Sequence, residues 1–258
     1  MFFFSIVIVI LINTSVFAYS NDFKLKNDMI FISGGKYYPL FKIKNNYEFI
    51  KVSPFYIDKY PVTNYDFYYF LINNPKWNKN NIKTVFADKN YLSHWDELKF
   101  EDIYYYPVIN VSWFTANAYC EFYGKRLPKI DEWELVGSSS KLNPIGKNDP
   151  EYLQDILNWY TDDKFNYLLN INNMKKNYWG VYGMNGVIWE WVEDFNSVIM
   201  LNIDSEGGEL EEFLYCGAAA TESIDPSDYV AFMRFSFRSS LQANYTIYTL
   251  GFRCVKDG

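Results

Sequence analysis

What this chain has little of narrows it first. It carries one histidine, His94, in 258 residues, so no metal site needing two or more imidazoles can be assembled. Its three cysteines, Cys120, Cys216 and Cys254, are spaced too widely for a C-x-x-C zinc knuckle. In an oxidising compartment two of them can pair, in any of three ways, leaving one odd thiol. Basic residues are in deficit, 24 against 31 acidic for a net charge of −7, which disfavours a nucleic-acid partner because phosphate binding needs a basic face. Only 13 Gly and 9 Pro, with no repeat of fixed period, exclude a collagen-like chain or a solenoid.

Aromatic surface is what the chain has in abundance. With 22 Phe, 24 Tyr and 8 Trp it can bury a full globular core, which excludes a disordered composition. The one long apolar run, Phe2 to Phe17, ends in Val16-Phe17-Ala18. It reads as a secretory signal cut after Ala18, with residues 19–258 as one domain and no membrane contact after cleavage. Its first residues lack Lys and Arg, and an uncleaved anchor is the alternative, although the strictly apolar stretch is short for a hydrocarbon layer of roughly 30 Å. No cysteine lies at the cut, so no lipid anchor is expected. The expected location is secreted or periplasmic.

Regular elements look short and loops long. Met29 to Ile32 reads as a strand stopped by Gly34-Gly35, and Phe49 to Ile57 as extended chain broken at Ser53-Pro54. Thr63 and Asp66 form a capping pair that opens a helix with Phe67, Phe70 and Leu71 on one face. Ser112 caps a helix running to Tyr123, where Gly124 supplies a left-handed stop, and a short helix covers about Ile130 to Val136. Residues 138–179 read as irregular, and short strands are expected around Phe213 to Tyr215, Phe232 to Phe237 and Phe252 to Val255. The fold class is therefore α+β, a single irregular domain of low regular secondary structure.

Four blocks carry a family resemblance. Pro61-Val62-Thr63-Asn64 comes first, and Pro107 to Trp113 leads through Cys120 and Gly124-Lys125-Arg126-Leu127-Pro128 to Glu132-Trp133-Glu134. Gly180 to Met184 then precedes Trp189-Glu190-Trp191, and the chain closes on Leu250-Gly251-Phe252-Arg253-Cys254. In this order they resemble the formylglycine-generating enzyme family, the sulfatase-modifying factors, whose fold is related to that of C-type lectins. The residues themselves also allow a fold-holding reading: Arg126 can pin a loop to Asp131, Glu132 or Glu134, and the tryptophans supply packing area.

The resemblance implies further assignments. It pairs Cys120 with Cys254 and leaves Cys216 over, a weak candidate for a reactive thiol and otherwise a small buried hydrophobe. It places a calcium site on Asn185, Gly186, Ile188 and Glu190, with Val187 where the family usually has Asn, and a second near Asn158 and Trp159, completed by Asp162 or Asp163. The alternative for Glu190 is a cap or salt bridge between two tryptophans.

Catalysis in the family uses two cysteines five residues apart that bind copper and oxidise a substrate cysteine with oxygen. Those positions fall near Asp225 and Val230, which cannot replace a thiolate pair for Cu(I), so copper is not expected. The last segment instead resembles a bacterial subgroup that includes nitrite-reductase accessory proteins. Arg234, Arg238 and Tyr229 are the candidate ligand contacts, since guanidinium groups four residues apart among aromatics can bind carboxylate or stack on rings. Their alternative is burial against Glu193 or Asp194. The implied function is a non-catalytic or divergent binding or maturation factor for a protein or peptide ligand. The alternatives are a copper-dependent oxidase making formylglycine, or a divergent enzyme using Cys216.

Overall fold

The structure is a computed structural model that describes residues 28–37, 49–161, 170–196 and 226–258. The leader, the strand expected around Phe213 to Tyr215, and Asp162, Asp163, Cys216 and Asp225 lie outside the described residues, as does the side chain of Tyr229.

Alternation builds the principal sheet. Strand β1 (Met29–Ile32) pairs antiparallel with β4 (Phe55–Asp58), which pairs in turn with β7 (Val255–Asp257). Ile32, Phe55, Ile57 and Val255 face the core, while Phe31 and Tyr56 alternate outward, as a sheet with one buried face requires. Gly34, at φ +74°, turns the chain into a second hairpin of β2 (Gly35–Tyr37) and β3 (Ile50–Val52). A Cβ at Gly34 would lie 2.4 Å from the Val52 carbonyl oxygen, so no other residue fits there.

Two capped helices pack across this frame. Thr63 accepts from the Asp66 amide and opens α1 (Asn64–Asn73), which buries Phe67, Phe70 and Leu71. The short α2 (His94–Glu97) follows, and Ser112 then caps α3 (Trp113–Phe122), which buries Ala116, Tyr119 and Cys120. Gly124, at φ +67°, ends α3, and the Lys125 amide donates back to the Cys120 carbonyl. A disulfide joins Cys120 to Cys254 across 134 residues. Beside it the buried Asp58 carboxylate accepts from Lys125 Nζ at 2.6 Å and from the Cys254 amide at 2.9 Å.

Three helices and a short parallel pair enclose the remaining space. α4 (Ile130–Gly137) begins where the Lys129 amide donates to Glu132 and the Ile130 amide to Asp194. Next come α5 (Pro150–Thr161) and β5 (Trp189–Glu190), then α6 (Pro226–Ser239) and β6 (Leu250–Gly251), with β5 and β6 paired in parallel. Gly251 passes so close to Val108 that a Cβ would sit 2.3 Å from its carbonyl oxygen.

Three sequence expectations need correction. Phe232 to Phe237 is helix, not strand: Val230, Arg234 and Arg238 recur at helical spacing on the buried side, and two of those three are arginines, which hid the period. Residues 138–179 are not wholly irregular, because Asp149 Oδ1 accepts from the amides of Glu151 and Tyr152 and starts α5 with Pro150 in its first turn. Phe252 to Val255 is not one strand, since residues 252–254 separate β6 from β7.

Candidate functional site

A narrow, largely buried crevice lies between α4, α5, β5 and α6, with Trp133, Trp159, Tyr160, Trp189 and Phe237 as its aromatic walls. Trp189 lies between two rings, with Tyr160 at 5.5 Å and 9° on one side and Phe237 at 4.2 Å and 19° on the other. Helical spacing on α5 brings Ile156, Trp159 and Tyr160 to one side, and the same spacing on α6 aligns Arg234, Phe237 and Arg238.

The polar part of the wall is a buried triad. Glu134 accepts from Arg234 through Nε at 3.0 and 3.1 Å and through Nη2 at 2.7 Å, and from Arg238 Nη1 at 2.5 Å. Burial alone would raise the Glu134 pKa, but the two guanidinium groups outweigh it and hold the carboxyl down at about 2. Both guanidinium groups also face the Trp133 ring, Arg238 at 4.8 Å and Arg234 at 5.7 Å from its centre. One carboxylate against two guanidinium groups leaves one surplus positive charge in the wall. Arg234 Nη1 is buried without a hydrogen-bond partner. Tyr152 stands next to Arg234, but its hydroxyl donates to the Gly137 carbonyl at 2.7 Å. Burial pushes the Tyr152 and Tyr160 phenols up to about 12, so both stay neutral beside the triad.

Arg234 and Arg238 line the crevice, and their partner in the fold is Glu134. The expected partners lie elsewhere: Asp194 caps α4, and Glu193 is 3.9 Å from Arg126. Arg126 grips Glu132 with two bonds of 2.7 Å and also holds Asp257, the loop-pinning role its block implied. Tyr229 belongs to α6, and its side chain is not described.

The calcium set can be tested against the chemistry of its donors. Glu190 is the only carboxylate in it, and both of its oxygens accept from Arg253, with Trp133 Nε1 adding a bond of 2.8 Å. Asn185 spends its amide nitrogen on the Gly137 carbonyl, Gly186 sits at φ +78°, and Ile188 is buried. A hard dication needs oxygens that are free to turn to it. As folded, the Glu190 carboxylate is not free to do so, and the salt-bridge alternative describes this residue. In the second set Asn158 Oδ1 accepts from Gln154, and Trp159 is a wall of the crevice 5.1 Å from Trp189. Among the described residues no three His, Cys, Asp or Glu side chains could share a metal ion.

Three site residues were missing from the sequence reading: Glu134 as the counter-ion, with Tyr160 and Phe237 as walls. The signal for the first was there, an acidic E-W-E on one helix and an R-x-x-x-R on another, but nothing local joins them across 100 residues. The aligned cysteine position Val230 is 2% exposed on α6, and its carbonyl accepts from the Tyr160 hydroxyl.

Residues 17–258 match the sulfatase-modifying factor enzyme 1-like domain of the FGE-sulfatase family. An uncharacterized protein of Borreliella burgdorferi is 30% identical over 139 residues, which cover 49% of this chain and 28% of that protein. The formylglycine-generating enzyme of Mus musculus is 32% identical over 105 residues, 36% of this chain and 28% of that enzyme. The match thus spans little more than a quarter of the length of either relative. A solved structure of PvdO from Pseudomonas aeruginosa aligns over 89% of this chain and 94% of its own at 14% identity and a TM-score of 0.45. With the match running from residue 17 to the last residue, this chain belongs to the FGE-sulfatase family of sulfatase-modifying factor-like proteins.

Proposed function

We propose that this chain is an exported binding or maturation factor that keeps the family's scaffold without its copper oxidase chemistry. One observation carries the reading: the chain has three cysteines, and the Cys120–Cys254 bond takes two of them. Cys216 is left alone, and one thiol cannot supply the thiolate pair that the resemblance requires for Cu(I). Export is supported by the apolar leader and by a buried disulfide, a bond that persists in oxidising compartments. The relation to C-type lectins belongs to the same reading and rests on resemblance.

The crevice is the ligand site in this reading. Tyr160 and Phe237 are its partly exposed rings, and the surplus charge of Arg234 and Arg238 favours a carboxylate, so the ligand in this reading is a protein or peptide segment presenting an acidic group.

The test uses the disulfide-intact protein with Cu(I) kept reduced by ascorbate, oxygen, and a peptide carrying C-x-P-x-R. The peptide should keep its thiol, and Cu(I) should bind no more tightly than it does to Cys216→Ala. Conversion of the peptide cysteine to an aldehyde would refute the reading. In a second arm, peptides with a free C-terminal carboxylate should perturb the tryptophan emission and their amidated forms should not.

A further inference from the structure

A second surface, away from the crevice, is built from aromatic rings on the outer side of α1 and the segment 95–105 that packs on it. Tyr65 lies 4.9 Å from Tyr69 and 5.5 Å from Tyr104, and Tyr68 lies 5.2 Å from Phe100. Phe100 in turn lies 4.8 Å from Trp95 and 4.9 Å from Tyr104, so the rings form one continuous patch. It is open to solvent at Tyr68, 42% exposed, and at Tyr105, 39% exposed and 6.4 Å from Tyr65, and the exposed Ile72 and Leu98 follow in the same two chain segments. Contiguous apolar surface of this kind marks an interaction site more often than isolated exposed residues do.

The charges beside the patch select its occupant. Glu97, Glu101 and Asp102 are exposed, and their side chains make no ion pair or hydrogen bond among the described residues. Lys99 is the one base in that segment, and the nearby Lys79 is neutralised by Asp96. Aromatic faces attract cations, and carboxylates at the edge draw them in. A two-fold contact with a second copy would set this acidic segment against itself. An anionic membrane would be repelled in the same way.

We infer that this face docks a polypeptide segment of a partner in which basic residues alternate with apolar ones. The inference stands apart from the crevice and from the question of catalysis.

The full chain is titrated with a synthetic peptide of alternating Arg and Leu, and with counterparts carrying Glu or Gln in place of Arg. The Arg peptide should bind, the other two should not, and the affinity should fall as salt rises. Tyr68→Ala and Leu98→Ser, both at exposed positions, should each weaken binding about tenfold. Replacing Glu101 by Gln together with Asp102 by Asn should flatten the salt dependence, whereas Glu151→Gln on α5 should change nothing. Equal binding of the three peptides, or an equal loss in Glu151→Gln, would reduce the effect to the chain's overall negative charge and overturn the inference. A dimer that Tyr68→Ala dissolves would overturn it in favour of a second copy.

Discussion

Arg253 and Glu190 lock together with neither side chain exposed, the guanidinium donating through Nε at 2.8 and 3.0 Å and through Nη2 at 2.8 Å. The remaining donors of Arg253 reach the carbonyls of Asp58 and Tyr182, so this one residue ties β4, β5 and the turn at 182 to the end of the chain. Removing one partner of such a pair strands the other charge without water. Glu190→Gln should cost about 3–5 kcal/mol in denaturant unfolding. Calcium addition and chelation should leave the melting temperature of the unaltered protein unchanged; a calcium-dependent rise would return Glu190 to the role of a metal ligand.

The disulfide closes the longest constrained loop among the described residues, 134 residues from Cys120 to Cys254. Restricting the unfolded chain by a loop of that length contributes roughly 4–5 kcal/mol in the chain-entropy account. The double variant with Cys120 and Cys254 both changed to Ala should lose a comparable amount. Peptide mapping without reductant should recover Cys120 joined to Cys254 and Cys216 as an alkylatable thiol. A Cys216 cross-link to either partner would change the assignment.

His94 is the protein's pH-sensitive core residue. Asn64 donates its amide protons to the carbonyls of Ile103 and Tyr106, so its Oδ1 is an acceptor, and both Trp95 Nε1 and His94 Nε2 donate to it. That arrangement assigns the Nε2–H tautomer and leaves Nδ1 buried beside Asn110, whose Oδ1 likewise lacks a well-formed hydrogen bond. Burial first, and then Lys79, pushes the His94 pKa down to about 3. Between the unfolded value near 6.5 and that folded value the unfolded chain binds the extra proton. Stability is therefore full above about pH 6.5 and falls as the pH drops, by about 3 kcal/mol at pH 4 from this group alone. Denaturant midpoints from pH 7 to 4 measure the slope, and it should flatten in His94→Gln.

Asp131 works in the opposite direction. Burial first, and then the neighbouring Asp194 carboxylate, raises its pKa to about 6. Its folded form holds a proton that the unfolded form releases near 3.9, so its contribution is lost as pH rises through about 6. Asp131→Asn should therefore raise stability at pH 8 by about 1 kcal/mol, after discounting for solvent screening at a partly exposed group, and should do nothing at pH 4. An equal gain at both pH values would show that packing is responsible and not charge.

Features that depend on near neighbours could be read directly from the amino-acid order. The caps at Thr63 and Ser112 reach three residues forward, the stop at Gly124 needs only a backbone able to take φ +67°, and β1 is ended by the Gly34-Gly35 turn. Arg126 and Glu132, six residues apart across a helix start, are the longest-range contact that such reasoning reached unaided. The pairing of Cys120 with Cys254 came from family resemblance, since spacing alone leaves three pairings open.

The ion pairs of the core could be decided only by the folded chain. Arg234 and Arg238 look like ligand contacts in the sequence because two guanidinium groups among aromatics are chemically open, and it is α6 packing near α4 that gives them Glu134. Glu190 looks like a calcium ligand until Arg253, 63 residues away, is brought to it. A buried charge takes whichever counter-ion the fold delivers, because leaving it unpaired costs more than any local preference can offset. Sequence order therefore determined the elements whose caps and stops are local, such as α1 and α3, while tertiary packing determined α6, whose buried side carries arginines, and which charges remain available for function.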